Sequence, residues 1–121
     1  MAYLGDGVIE LFVRERLVRA GNIPPGELHS KAMLFVTAAK QSNAVENILP
    51  VLTEAETEIY KRGRNAKGRV PKSASAVDYR RATGMECLFG YLYLSDNKKR
   101  LEELFDIAFG DIKIFDTYNK T

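Results

Sequence analysis

The stretch YLGDGVIELFVRERL, residues 3–17, establishes the helical character of the chain. Its apolar residues recur every three or four positions from Leu4 to Leu17, which predicts an amphipathic helix that ends near Gly21. Asp6 places a carboxylate inside this apolar pattern. The residue is either a cap near the N-terminus of the helix, which its position alone favours, or a ligand for a cation.

The middle of the chain shows the same helical spacing. The pattern predicts one helix in ELHSKAMLFVTAA, residues 27–39, and another in QSNAVENILPVL, residues 41–52. Thr53 and Glu56 have the spacing of a capping box, in which each side chain accepts a hydrogen bond from the backbone N–H of the other residue. The box predicts that a further helix runs from residue 54 to about residue 62.

The last third of the chain is predicted to contain two more helices. A long one begins at Ser75 or Ala76 and ends near Leu94, and either Ser95 or Asp96 can cap the final one. The tail after residue 110 has only weak alternation and is predicted to be irregular. Because no two segments have the pattern of paired strands, the sequence predicts an all-α fold.

The composition is that of an ordinary globular protein, since 45% of the 121 residues are hydrophobic and 28% are charged. This length predicts one domain over residues 1–121. Apolar runs fall short of the ~20 residues that span a bilayer and a signal peptide is not recognisable, so we expect a cytoplasmic protein without a membrane partner. A single cysteine, Cys87, and a single histidine, His29, exclude an internal disulfide and a zinc site built from such ligands.

Positive charge is concentrated around one predicted loop, GRNAKGRVPKSA, residues 63–74, which contains two glycines and one proline without periodicity. Between Lys61 and Arg81, eight basic residues stand against one acidic residue, a net charge of +7. Because the whole chain carries +2, the rest of it carries −5. Such a distribution indicates that a polyanion binds at one place on the protein.

Glu86 raises the same question as Asp6. It is the only acidic residue between Asp78 and Asp96 and lies among apolar residues of the long predicted helix. A glutamate in such surroundings needs either a basic partner or a metal ion. An internal salt bridge, to Arg14 or Arg16, and coordination of a metal are both open at this point.

Gly84 and Gly90 lie on either side of Glu86 in the same predicted helix. A glycine inside a helix costs about 1 kcal/mol relative to alanine, so two of them so close together need a packing reason. They predict that another backbone approaches this helix closely, at a tight helix crossing or at a two-fold interface.

Two carboxylates on distant helices and a basic loop are together the elements of a magnesium nuclease. Mg²⁺ binds one or two protein carboxylates and completes its shell with water and phosphate oxygens. The ion activates a water and stabilises charge on the attacked phosphate, while a basic loop holds the backbone of the nucleic acid. Asp6 and Glu86 are the candidate ligands.

Five blocks of the sequence resemble one protein family. In chain order they are YLGDGVIELFVR, LHSKAMLFVTAAKQ, LTEAETEIYKRGRNAK, PKSASAVDYRRATGMECLFGYLYL and KRLEELF, and they extend from Tyr3 to about Phe105. In these blocks the chain resembles Mini-ribonuclease III, the short bacterial branch of the ribonuclease III family. The motifs KRGRNAK and ATGxExLxGYLYL make the resemblance specific, because neither is expected to recur by chance.

The resemblance implies the all-helical catalytic domain of ribonuclease III, assembled as a homodimer that binds double-stranded RNA. It implies Mg²⁺-dependent hydrolysis that leaves 5′-phosphate and 3′-hydroxyl ends, in the maturation of large-subunit ribosomal RNA, with a ribosomal protein as a candidate partner. The Asp of the LGD motif falls on Asp6 and the Glu of the GxE motif falls on Glu86. These two residues are then the catalytic, metal-binding carboxylates.

The basic loop and its flanks are the expected RNA-binding surface, because nothing else in the chain concentrates positive charge. One alternative is a non-catalytic module with the same helical fold that binds double-stranded RNA or assists ribosome assembly. Another is a structural helical dimer in which Asp6 caps a helix and Glu86 forms a salt bridge. The candidate RNA contacts are Arg62, Arg64, Asn65, Lys67, Lys72 and Arg80.

The chain departs from full-length ribonuclease III at two acidic positions, as its short relatives do. Full-length members carry a Glu four residues before the motif Asp, where this chain has Ala2, and an Asp three residues before the motif Glu, where it has Thr83. Fewer anionic ligands predict weaker binding of magnesium in the absence of RNA. The number of metal ions per site stays open.

Overall fold

A computed structural model describes residues 1–66, 68–72 and 75–110 of the chain. Within these ranges the fold is entirely helical and contains no strand, which confirms the all-α prediction. None of the described helices is long and apolar enough to cross a membrane. The helices are α1 (Ala2–Arg19), α2 (Pro25–Met33), α3 (Ala38–Ile48), α4 (Glu54–Arg64), α5 (Ala76–Leu94) and α6 (Lys98–Ala108), with one 3-10 turn at Leu49–Val51 between α3 and α4.

The central helix is α5, which packs against α1, α3 and α4. Its crossing with α1 is close because glycines face backbone on both sides. A Cβ added to Gly5 of α1 would overlap the carbonyl oxygen of Glu86, and one added to Gly90 of α5 would lie 2.5 Å from the carbonyl oxygen of Met1. The tight helix crossing predicted from the glycines is therefore present within one chain.

An aromatic cluster closes the far side of the core. The ring of Phe105 on α6 lies 5.6 Å from Phe12 on α1 and 4.9 Å from Phe109, measured between ring centroids. Phe109 in turn lies 5.8 Å from Phe35, which follows α2. All four side chains are buried, so this cluster fixes α6 and the α2–α3 connection to α1.

The predicted division between the second and third helices was wrong. The observed α2 ends at Met33, and Thr37 accepts a hydrogen bond from the backbone N–H of Lys40 (3.3 Å) as the N-cap of α3. Residues 38 and 39 therefore begin α3. The third helix also ends earlier than predicted, at Ile48, where the chain tightens into a 3-10 turn that contains Pro50.

The capping box of α4 was predicted correctly. The N–H of Thr53 donates to Glu56 Oε1 (2.9 Å), and the N–H of Glu56 donates to Thr53 Oγ1 (3.1 Å). The predicted end near residue 62 was too early, because α4 continues to Arg64 and keeps Gly63 inside the helix. Gly63 is buried against Cys87, so packing on α5 extends the helix into the predicted loop.

The start of α5 was predicted correctly and the cap of α6 was not. Ser75 accepts a hydrogen bond from the N–H of Asp78 (3.3 Å), and the helix begins at the next residue. The cap of α6 is Asn97, whose Oδ1 accepts from the N–H of Arg100 (3.3 Å), instead of Ser95 or Asp96. The chain turns after α5 through a left-handed conformation, φ 57°, at residue 96, which moves the cap one position further on.

Candidate active site

Asp6 lies in the interior of the first turns of α1 and is exposed to solvent. The helix begins at Ala2, its N-cap is Met1, and no side chain forms a capping hydrogen bond there. The interpretation of Asp6 as a helix cap was therefore wrong. Its carboxylate is accessible from solvent and is not used to cap α1.

Glu86 is the neighbour of Asp6 across the crossing of α1 and α5. Its side chain is half-buried, and its pKa is raised from 4.5 to about 8. The main cause is burial, which disfavours the charged form. Asp6 adds to the effect, because its carboxyl group hydrogen-bonds to that of Glu86 and repels a second negative charge. The structure thus brings the two predicted carboxylates side by side.

The salt bridge that the sequence left open for Glu86 is not formed with either candidate arginine. Arg14 pairs with Glu10 one turn away (2.6 Å), and Arg16 pairs with Asp106 of α6 (2.7 Å). Burial and Asp6 account for the raised pKa of Glu86, and among the described residues no ion pair involves this side chain. The salt-bridge interpretation was therefore wrong.

The donor set of this pair fits a hard divalent cation. Both groups offer carboxylate oxygens, which Mg²⁺ prefers, and Mg²⁺ often takes only one or two of them from the protein. A cation would also favour the ionised form of Glu86, which burial and the neighbouring Asp6 disfavour. Among the residues described, no group of three or more His, Cys, Asp or Glu could hold a metal. The binding of a metal by this pair stays a prediction.

Three of the predicted RNA contacts come together at the start of α5. Arg64, Asn65 and Arg80 line one cavity of about 410 Å³. Arg64 and Arg80 also line a second cavity of about 190 Å³, in which Thr83 lies. The two arginines therefore separate two adjacent cavities, and the smaller one is on the side of Glu86, since Thr83 is one helical turn away from it.

The other predicted contacts are less well placed. Arg62 and Lys72 are exposed but line neither of these cavities. Lys67 lies outside the described residues. The structure therefore supports a basic surface at the end of α4 and the start of α5 and leaves the contribution of the loop between them as a prediction.

Arg81 belongs to this region and was not singled out from the sequence. Its guanidinium donates to Glu46 Oε1 (2.5 Å) and Ser42 Oγ (3.3 Å) on α3, while its side chain lines the larger cavity. The charge of Arg81 is thus largely matched within the protein, in contrast to that of Arg80. The sequence could not distinguish Arg81 from Arg80, because the partners of Arg81 lie 35 and 39 positions away in the chain.

Comparison with known proteins identifies the family of the chain. The family profile described as "Ribonuclease III domain" matches residues 1–97. The chain is 45% identical to the Mini-ribonuclease 3 of Symbiobacterium thermophilum over 109 residues, which are 89% of this chain and 84% of that protein. It is also 45% identical to the Mini-ribonuclease 3 of Enterococcus faecalis over 107 residues, which are 86% of this chain and 81% of that protein.

The chain belongs to the ribonuclease III family, in its Mini-ribonuclease III branch. A crystal structure of a protein from Fusobacterium nucleatum superposes with a TM-score of 0.84 at 26% identity, covering 93% of this chain and 87% of that one. Endoribonuclease activity on double-stranded RNA follows from this membership. Enzymes of the ribonuclease III family depend on metal ions, which is consistent with the carboxylate pair of this member.

Proposed function

We propose that this ribonuclease III enzyme binds Mg²⁺ at Asp6 and Glu86 and cuts double-stranded RNA beside them. The supporting observation is the pair itself: two carboxyl groups meet at the α1–α5 crossing, where Asp6 hydrogen-bonds to Glu86 and, with burial, raises its pKa. When bound, the ion supplies activation of a water and stabilisation of charge on the attacked phosphate. The products carry 5′-phosphate and 3′-hydroxyl ends.

The two carboxylates have different roles in this proposal because their surroundings differ. Asp6 is exposed and therefore accessible to RNA from solvent. Glu86 is half-buried, so its position is fixed by the packing of α5 against α1. Because its pKa is about 8, Glu86 must lose a proton before it can act as a ligand, and we expect metal binding to strengthen as the pH rises towards that value.

RNA is held, in this proposal, by the basic surface next to the pair. Arg80 precedes Glu86 by six residues on α5, which is about 9 Å along the helix axis. Phosphate contacts at this distance can place a duplex over the carboxylates without reading its sequence. The proposed contacts are Arg62, Arg64, Asn65, Lys67, Lys72 and Arg80.

We extend the proposal to a homodimer. Tyr3 on α1 is 95% exposed, and Tyr91, Tyr93 and Leu94 on α5 are exposed as well. Exposed large apolar side chains on the two helices that carry Asp6 and Glu86 are candidates for an interface with a second copy of the chain. Sedimentation equilibrium should then give twice the mass of one chain, and a monomer at micromolar concentration would contradict this assembly.

The cellular part of the proposal rests on the resemblance to Mini-ribonuclease III. In this part of the proposal the enzyme acts in the cytoplasm, its substrates are precursors of large-subunit ribosomal RNA, and a ribosomal protein is its partner. Loss of the gene should then cause such precursors to accumulate with uncut ends. Normal ends in the deletion strain would remove this part of the proposal and leave the enzymatic part intact.

The deciding experiment compares Asp6→Asn with the parent on a long RNA duplex in Mg²⁺. We expect the rate of cutting to fall by at least about a hundredfold, as is typical when a group that stabilises the transition state is removed. Asp96→Asn is the matched control, because Asp96 is exposed and lies in the turn after α5. This variant should cut RNA at the rate of the parent. Equal rates for the parent and Asp6→Asn would contradict the proposal.

The same assay separates the enzyme from its alternative, a non-catalytic RNA-binding module. A module would bind the duplex and leave it intact in the parent as well as in the variant. A second arm tests the basic surface: Arg64→Ala with Lys67→Ala should weaken binding and flatten its dependence on salt, since each lost phosphate contact reduces the slope. Lys98→Ala with Lys99→Ala, on the exposed side of α6, is the matched control.

A further inference from the structure

The larger of the two cavities beside Arg64 and Arg80 has a feature that phosphate binding does not explain. This α4–α5 pocket, lined by Leu49, Tyr60, Arg64, Val77 and Arg80, combines positive charge with an apolar wall. Its volume of about 410 Å³ is in the range of small-molecule sites. A surface that only follows an RNA backbone needs no apolar cavity.

The charged side of the pocket can bind an anion. Arg64 Nε donates to Asn65 Oδ1 (3.0 Å), and its guanidinium carbon lies 5.7 Å from the centroid of the Tyr60 ring. No acidic residue in the described ranges forms an ion pair with Arg64 or with Arg80. Arg81, in contrast, is already matched by Glu46. Two arginines at the edge of the pocket are therefore available to one phosphate.

The apolar side of the pocket suits a flat ring. Val77 is 64% exposed although it lies in the first turn of α5 among arginines, and Leu49 is half-buried opposite the same space. Bases that leave a duplex are commonly held against apolar side chains and the planes of arginine guanidiniums. The planar guanidinium of Arg64 lines the same pocket and lies over the ring of Tyr60.

We propose that the α4–α5 pocket binds one unpaired nucleotide of the RNA substrate, with its phosphate at Arg64 and Arg80 and its base against Val77 and Leu49. This inference rests on the proposed function, because it assumes that RNA lies along the basic surface. A paired base cannot enter, since extrusion from a duplex costs a few kcal/mol and costs least for a base that is already unpaired. The pocket would therefore favour duplexes with a bulge or an overhang a few nucleotides from the cut.

Binding of small ligands to the full-length protein tests the pocket without any cutting. We expect adenosine 5′-monophosphate to bind at least about tenfold more tightly than inorganic phosphate, because stacking of one base contributes about 1–3 kcal/mol. Amide resonances of Val77 and Asn65 should shift on titration. In Val77→Asn the dissociation constants of adenosine 5′-monophosphate and inorganic phosphate should differ by less than about threefold. Arg64→Lys keeps the positive charge but removes the planar guanidinium, so it should also reduce the preference for the nucleotide.

The matched control is Val18→Asn on α1, where the valine is 66% exposed and lies outside the pocket. This variant should keep the preference for the nucleotide. The proposal is overturned if the parent binds the nucleotide no more tightly than inorganic phosphate, or if Val18→Asn reduces the preference as much as Val77→Asn does.

RNA binding provides the second test, measured without divalent cations so that the RNA stays intact. The parent should bind a duplex with one unpaired nucleotide at least about fivefold more tightly than the fully paired duplex, and Val77→Asn should abolish the difference. Equal binding of both duplexes by the parent would overturn the inference. Failure of the proposed function would be seen separately, as a fully paired duplex that stays uncut in Mg²⁺.

Discussion

Two glutamates of this protein lie in helix contacts, and their surroundings are opposite. Glu56 on α4 is buried and faces Arg100 of α6, whose Nε and Nη2 donate to its two carboxylate oxygens at 2.8 Å. That hydrogen-bonded guanidinium lowers the pKa of Glu56. Glu86 on α5 is also removed from water, but it faces Asp6, and its pKa is raised to about 8.

The contrast separates a contact whose charges are paired from one whose charges repel. Glu56 is paired with Arg100, which also donates to the carbonyl oxygen of Val51 (2.8 Å), so α6 is fixed to the start of α4. Around Glu86 the folded chain brings two carboxyl groups together, and the raised pKa of Glu86 keeps one of them protonated at neutral pH. Deprotonation of Glu86 beside Asp6 costs stability, and a bound cation would offset this cost.

The largest expected effect comes from separating the two helices that form the carboxylate pair. Gly5→Ala places a methyl group onto the carbonyl oxygen of Glu86, and backbone cannot move aside as a side chain can, so we expect the free energy of unfolding to fall by at least about 3 kcal/mol. In Gly7→Ala, two residues further along α1, the added methyl group has no neighbour within 4 Å, so the free energy of unfolding should rise by about 0.5–1 kcal/mol. Urea denaturation measures both, and similar values for the two variants would disprove the close crossing.

A somewhat smaller effect is expected at the matched pair. Arg100→Met leaves the buried carboxylate of Glu56 without its partner and should lower the free energy of unfolding by about 3 kcal/mol. Arg19→Met removes an exposed pair with Glu15 and should change it by less than about 0.5 kcal/mol. If thermal melting gave the same loss for both variants, the α4–α6 contact would be no more than a surface ion pair.

The smallest and most diagnostic effect is the opposite pH dependence of the two glutamates. The folded-state pKa of Glu86 is raised. Without metal, its contribution to the free energy of unfolding is therefore fully present below pH 4.5 and is lost as the pH rises towards 8. Glu86→Gln removes this loss and should raise the Tm at pH 8 by about 2–5 °C, with no gain at pH 4. A Tm equal to that of the parent at both pH values would mean that Glu86 is not held in its protonated form.

Glu56 should behave in the reverse sense. Its pKa is lowered, so its contribution is present above its ordinary pKa of 4.5 and is lost as the pH falls through the folded-state value. Glu56→Gln should therefore lower the Tm at pH 7, and the difference from the parent should shrink in acid. A difference that stays constant from pH 7 to pH 3 would show that the ionisation of Glu56 does not matter for stability.

Local signals in the sequence predicted the parts of the fold that local physics decides. The capping box of Thr53 and Glu56, and the cap of α5 at Ser75, depend on residues three positions apart and were predicted correctly. The caps at Thr37 and Asn97 were missed, because packing of the connection and a left-handed residue determine where those helices begin. The helix class was therefore predictable and several boundaries were not.

The candidate site was predictable only in part for the same reason. Local pattern favoured a cap at Asp6 and left a salt bridge open at Glu86, whereas the two lone carboxylates with the basic loop, and then the resemblance to Mini-ribonuclease III, favoured both as ligands. Their adjacency depends on a crossing between helices 80 positions apart in sequence, which no local pattern contains. The partners of Arg81 and Arg100 were equally inaccessible, because each lies more than 30 positions away.

The burial of Gly63 against Cys87 has a consequence for where the enzyme cuts. Cys87 directly follows Glu86, and Arg64 directly follows Gly63, so the contact between the two helices fixes the spacing between Arg64, a proposed phosphate contact, and Glu86, a proposed metal ligand. A larger residue at position 63 would widen that spacing. In the proposed mode of RNA binding, the position of the cut relative to the bound phosphates therefore depends on the thickness of one glycine.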